Sequence, residues 1–308
     1  MHRTLELAVP ATVSDALVDA LRSTEGVVGL SRHRGASVVP AGDVVTVHAL
    51  NRHVDAVLRE TKRVCGDHPF TVVTAEVASI TDAAHQKDID SDVDEAIWEE
   101  LETGLRHQGR ITSNFLLLMA LGGLIGAAGA FAEPAVGVIA YVASAIIAPG
   151  FEPVAKLPLG VVLRRGEVFR AGLVSTLAGY AVLIAAAAAT WPLLNLFGPV
   201  PASAFLEGDV LKHTLKPTPD ILAVSVAGAF AGVIILAAYR RSVIAGALVA
   251  MRLIEASAVS GIAIGLGRFD LAGGALKRLG IDMLFVIGAG IVVFGLKQLL
   301  VHRRTPLR

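Results

Sequence analysis

The chain has 308 residues, 54% hydrophobic and 18% charged, with 27 basic and 27 acidic side chains. A balanced charge offers nothing to draw nucleic acid. The single cysteine, Cys65, excludes an internal disulfide and a cysteine-cluster metal site.

The opening residues, MHRTLELAVP, lack a basic stretch followed by an apolar core, so they do not read as a signal peptide. The first domain is therefore expected to stay in the cytoplasm. Residues 1–80 read as β-α-β-β-α-β. Thr4 to Val9 alternates with period two, as a half-buried strand does. Residues 12–23 then place Val13, Leu17, Ala20 and Leu21 on one helical face. Gly26 to Ser37 and Gly42 to Asn51 form two strands around a turn containing Pro40 and Gly42. A helix over 52–65 aligns Val54, Val57, Leu58, Thr61 and Cys65, and Pro69 opens a last strand reaching about Ile80. Four antiparallel strands with two helices on one face make the ferredoxin-like arrangement.

Residues 81–110 form a polar linker with a short amphipathic helix. Ser91 with Asp94 makes a capping-box pattern, followed by a stripe of Val93, Ile97, Leu101 and Leu105 beside Trp98. Because the polar face is acidic, the stripe is expected to dock on the soluble domain or a neighbouring subunit rather than on anionic lipid.

From Ile111 onward the chain is rich in Ala, Gly, Leu, Val and Ile. Apolar segments run over 111–132, 135–163, 167–191, 219–239, 242–267 and 279–300, each about the 20 residues that a bilayer requires, or longer. Arg106, Arg110, Arg164, Arg165, Arg170, Arg240, Arg241, Lys297, Arg303, Arg304 and Arg308 fall at one set of ends. Lys212, Lys216, Arg268, Lys277 and Arg278 fall at the other. The larger set marks the cytoplasmic side, which places both termini inside and the connection 192–218 outside.

Two acids stand within these segments. Glu152 lies in Ala148-Pro149-Gly150-Phe151-Glu152-Pro153, with Pro158 following, and the prolines should interrupt this helix near mid-membrane. Glu255, 103 residues later, lies at the centre of the fifth segment. The same offset pairs Ala155 with Ala258, Leu163 with Leu266, Arg165 with Arg268 and Glu167 with Asp270. Gly122/Gly126 and Gly228/Gly232 precede them in the first and fourth segments. Three helices per repeat would insert in opposite orientations, which is a transporter architecture. A charge at that depth costs at least about 2.5–3.5 kcal/mol, so it should face protein or water. Lys156 and Arg252 are spaced to neutralise Glu152 and Glu255 along their own helices, and a purely structural pairing remains open. Ser257 and Ser260 could line a polar cavity or serve packing. Asp282, about one turn inside the last segment, reads as a solvated acid near a helix end. The nine histidines show no ligand spacing, so no metal or other cofactor is assigned.

The membrane half resembles the bacterial "uncharacterised hydrophobic protein" family, domain of unknown function 389. That family has Ser-Pro-Leu-Met-Gly-Pro where this chain has Ala148 to Pro153, with Pro149 and Pro153 as the specific anchors. Gly160, the Arg164-Arg165-Gly166 turn and the segment from Leu253 to Gly267 also fit. Asp282 corresponds to an Asn usual in the final helix. Glu152 stands where the family tends to have Gly, and Glu255 where it has Pro. The resemblance supports the architecture and supplies no substrate.

The expected organisation is a ferredoxin-like domain over 1–80, the linker over 81–110, and a membrane domain of about six helices over 111–302. The expected function is a secondary transporter or ion-conducting protein of the cell membrane, not an enzyme. Glu152, Glu255, Pro149, Pro153, Lys156, Arg252, Ser257 and Asp282 would form its site for a small ion or molecule. The soluble domain would regulate it or hold a homo-oligomer together. The alternative is a non-transporting sensor or scaffold.

Overall fold

The computed structural model describes residues 2–93, 95–238 and 243–304, with side chains described outside 243–251. Asp94, Arg240, Arg241 and Arg308 lie outside the described residues. The chain divides into two compact units, 1–100 with 296–308 and 101–295.

The first unit holds a four-stranded antiparallel sheet of β1 (Arg3–Val9), β2 (Val27–Val38), β3 (Ala41–Ala49) and β4 (Thr71–Glu76), in the order β2-β3-β1-β4. Helices α1 (Ala11–Arg22) and α2 (Val54–Cys65) connect the strands as the alternation predicts. Register sets Leu5 opposite Val47 and Leu7 opposite Val45, so these apolar side chains share one face. With Val9 and Ala49 they pack on Leu17 and Leu21 of α1 and on Val57, Leu58 and Cys65 of α2. Burial pushes the Cys65 thiol up from its ordinary range, which leaves it a packing residue.

The linker departs from its expected form. Ser91 is the C-cap of a short helix α3 (Gln86–Asp90), and the next helix, α4 (Trp98–Gln108), begins only at Trp98. The chain between them is held by Asp92. Its carboxylate accepts from the backbone amides of Asn51 (2.6 Å), Val93 (2.9 Å) and Arg52 (3.3 Å), and His2 lies 3.2 Å away. An acid that satisfies the turn leading into α2 has no carboxylate left to start a helix of its own. Burial raises the Asp92 pKa, but the three amides outweigh it and hold the carboxyl below its ordinary value. Ile97 joins the core of the sheet and its helices, and Trp98 donates its indole N–H to the His302 carbonyl (2.9 Å). Residues past 295 are anchored in the same unit. Lys297 meets Glu95 (2.5 Å), and His302 lies 3.2 Å from Asp55.

The second unit is helical. It comprises α5 (Ser113–Gly129), α6 (Pro134–Ile147), α7 (Phe151–Val162), α8 (Gly166–Asn195), the short α9 (Ser203–Leu206) and α10 (Asp209–Leu215), α11 (Pro219–Ala237), α12 (Val243–Gly265) and most of α13 (Phe269–Leu300). Helices α8, α11 and α13 are long and apolar enough to cross a membrane. Two bent pairs, α4 with α5 (71°) and α6 with α7 (51°), raise that number to five if each is one span. The expected six are therefore not reached among the described residues. The fifth expected segment is the 23-residue helix α12, part of whose side chains lie outside the description.

The expected break falls at Ala148-Pro149-Gly150. Ala148 is extended (ψ 121°), as a residue before proline must be, and Pro149 has no N–H to continue the ladder. Only one proline interrupts. Pro153 occupies the first turn of α7, where an amide has no intrahelical acceptor, and Pro158 is carried inside α7 without ending it. Helix α12 is continuous at the positions 103 residues after the break, so the broken helix has no counterpart there. The turns that follow do correspond. Arg164 (φ 52°) and Gly267 (φ 71°), 103 residues apart, both take the left-handed conformation. Arg165 N bonds Gly160 O at 2.8 Å, as Arg268 N bonds Ala263 O at 2.8 Å. Arg164 N bonds Val161 O, as Gly267 N bonds Ile264 O. This is one Schellman turn built twice in the same register.

Close packing on α8 uses the small residues. A Cβ on Gly261 of α12 would lie 2.5 Å from both the Ile184 carbonyl and the Ala187 side chain. Gly122 of α5 abuts Ala148 and accepts from the Ser144 hydroxyl (2.6 Å). Gly228, its expected equivalent, has nothing within 4 Å.

Candidate buried polar site

The helix break fixes the first part of the site. The Gly150 carbonyl, at the N-cap of α7 just past Pro149, accepts from the Tyr180 hydroxyl of α8 at 3.1 Å. Glu152 follows in the first turn of α7, where the helix N-terminus favours a carboxylate. Among the described residues no ion pair within 4.0 Å reaches Glu152, and its one hydrogen-bond donor is its own backbone amide. The expected neutralisation by Lys156 is not made as an ion pair. Lys156, 3% exposed, instead donates to the Gly109 carbonyl at 2.6 Å. Gly109 follows the last turn of α4, whose final carbonyls lack helical donors, and a side chain there would collide with the ammonium.

The second part lies on α12 and α13. Arg252 and Glu255 pair at 2.9 Å, one turn apart as their spacing predicts, and the Thr214 hydroxyl of α10 donates to the other Glu255 oxygen at 3.3 Å. Asp282 is not a solvated end-of-helix acid. Helix α13 starts at Phe269, well before the expected 279, and this puts Asp282 deep in its span at 3% exposure. Arg278, one turn earlier, lies 2.9 Å from it and donates to the Ser225 hydroxyl of α11 at 2.7 Å. Sequence reading had assigned Arg278 to a loop because a cation usually ends a span. The i,i+4 spacing to Asp282 was the signal that it could be carried inside. The Ser257 hydroxyl donates to the Leu253 carbonyl (2.6 Å) of its own helix.

The two pairs stand on two helices, Arg252–Glu255 on α12 and Arg278–Asp282 on α13. Some polar capacity is left over. Arg278 Nη1 and the Tyr141 hydroxyl are buried with no hydrogen-bond partner among the described residues. Exposure is graded. Arg252 and Glu255 keep 29% and 15% of their side chains exposed, against 5% and 4% for Arg278 and Asp282. Tyr180, Tyr141, Thr214, Ser225 and Arg278 are the members that the sequence alone did not single out.

Searches of curated proteins and of solved structures return no match. A family model described as "Domain of unknown function (DUF389)" matches residues 145–288, the stretch that carries the break, both glutamates and Asp282. Over these residues the chain is similar to that family.

Proposed function

We propose that this membrane protein is a secondary transporter or ion-conducting protein that handles a proton or small cation at carboxylates beside a broken helix. The observation that carries this reading is Glu152. It is an acid at a proline break in a spanning pair, with no ion-pair partner among the described residues. Such a group in a bilayer is expensive, and binding a cation or proton is what offsets the cost. Glu255, Arg252, Asp282 and Arg278 form the adjoining relay. The repeated Schellman turn supports descent of the two halves from one three-helix unit, related by an axis near the membrane plane. The first unit, with its β2-β3-β1-β4 order, is ferredoxin-like in our reading, and it regulates the helices or joins copies of the chain into a homo-oligomer. Arg106 and Arg165 both lie against Glu102, which favours placing these two cations on one side, the cytoplasmic one.

The test is proton and cation flux in vesicles reconstituted with the full chain, comparing Glu255→Gln with the double variant Glu255→Gln, Arg252→Gln. Under this reading the double variant regains stability while flux stays absent. A second reading, a non-transporting scaffold, draws on the pairing of Glu255 and Asp282 with arginines. Full flux in the double variant removes Glu255 from the mechanism, and no flux from the unaltered chain favours the scaffold.

A further inference from the structure

Two arginines within the helical unit, Arg278 buried and Arg252 partly exposed, require explanation, because a guanidinium cannot discharge itself by losing its proton. Each stands one turn from an acid that can take a proton: Arg252 before Glu255, Arg278 before Asp282. When such an acid is protonated, the arginine needs another anion. The geometry leaves donors for one. Arg278 Nη1 and the Tyr141 hydroxyl are buried and unspent, and Thr214 and Ser225 place further hydroxyls on the same acids and bases. Asp282, held against Arg278 at 2.9 Å, is where a proton would rest.

We infer that the two pairs form a binding site for a small oxyanion, taken up together with protons. This inference rests on the transport reading and names its second substrate. A proton from solvent adds to a Glu255 or Asp282 oxygen as O–H, the carboxylate charge is lost, and an oxygen of the incoming anion replaces it against the guanidinium. Each negative charge bound is thus matched by one proton, so the cycle moves no net charge. The planar guanidinium fork prefers paired oxygens over a spherical anion. Entry is from the Arg252–Glu255 end, the more exposed of the two.

The experiment uses the full chain in phosphatidylcholine–phosphatidylglycerol vesicles holding a pH-sensitive dye. Inward gradients of succinate, inorganic phosphate or chloride are applied separately. Acidification with succinate or phosphate and not with chloride is expected, and the two oxyanion arms decide between carboxylate and phosphate. Arg278→Lys, which keeps the charge but not the fork, should raise the half-saturating oxyanion concentration without lowering thermal stability. The double variant Arg278→Gln, Asp282→Asn removes both charges at nearly constant volume. It should melt near the unaltered protein yet acidify no faster than empty vesicles. Equal acidification with chloride, or full oxyanion-driven acidification in the double variant, overturns the proposal. Proton flux that ignores all three anions overturns it while leaving the transport reading standing. No flux of any kind defeats both.

Discussion

The two glutamates, alike in sequence, should respond differently to the same change. In Glu255→Gln the Arg252 guanidinium loses its 2.9 Å partner. Breaking a buried pair costs roughly 3–5 kcal/mol, and exposure reduces that. Because Arg252 is 29% exposed, the expected loss is about 1–3 kcal/mol. In Glu152→Gln no ion pair is broken, since Lys156 is bonded to the Gly109 carbonyl. The stability change should stay within about 1 kcal/mol, in either direction. Flux should nevertheless vanish in Glu152→Gln, because an amide keeps the shape and loses the charge that a cation or proton needs. Both variants are to be measured in detergent by thermal unfolding and in vesicles by flux. If Glu152→Gln is destabilised as much as Glu255→Gln, Glu152 has a structural partner and the reasoning fails. If its flux is unchanged, Glu152 is not the site.

Further outcomes follow from the same geometry. Asp92 has a pKa held below its ordinary value, so its contribution to the first unit is complete above about pH 4 and is lost as pH falls through the lowered folded value. Acid unfolding of that unit, followed by hydrogen exchange, should therefore lose this pH step in Asp92→Asn, which should also be less stable by about 1–3 kcal/mol at neutral pH. Arg164→Gly relieves a left-handed φ of 52° and should stabilise the second unit by up to about 1 kcal/mol, read as a higher melting temperature. Gly267→Arg, the reverse change at the matching turn, should lower it by about 1–2 kcal/mol. Gly261→Leu drives a side chain into the Ile184 carbonyl and Ala187 and should reduce folded yield, whereas Gly228→Leu, facing open space, should not.

Much of the first unit was legible because period-two alternation in β1 and β3 is a local signal. Leu5, Leu7, Val45 and Val47 announce their shared face without knowledge of the partner strand. The linker was misread for a tertiary reason. Ser91 and Asp92 have the chemistry of a helix start, but Asp92 is claimed by amides about 40 residues earlier in sequence. In the membrane half, the break at Pro149 was visible because proline acts on its own neighbours. Pro158 was overread, since a helix can carry a proline where its lost bond is tolerated. The start of α13 was missed because a hydropathy reading stops at Lys277 and Arg278, and only the fold brings Ser225 to Arg278. Tyr180 could not have been found at all, since its role depends on α8 passing the carbonyl of Gly150.

The distribution of charge in the second unit separates what stability explains from what it does not. Lys156, Arg252 and Arg278 each have an oxygen partner at 2.6 to 2.9 Å. Glu255 and Asp282 each have an arginine one turn away, and a helix pair that served only as an anchor would lose little if both ends of each pair were apolar. Pairing therefore accounts for how these charges are tolerated, and leaves open why they are kept. Glu152 is outside even that account. Its nearest base is committed to a helix-end carbonyl, and the carboxylate has only its own amide. The break at Pro149 supplies the helix N-terminus that can hold a negative charge. An acid set at an interruption of a spanning pair, with no ion-pair partner among the described residues, is not accounted for by pairing.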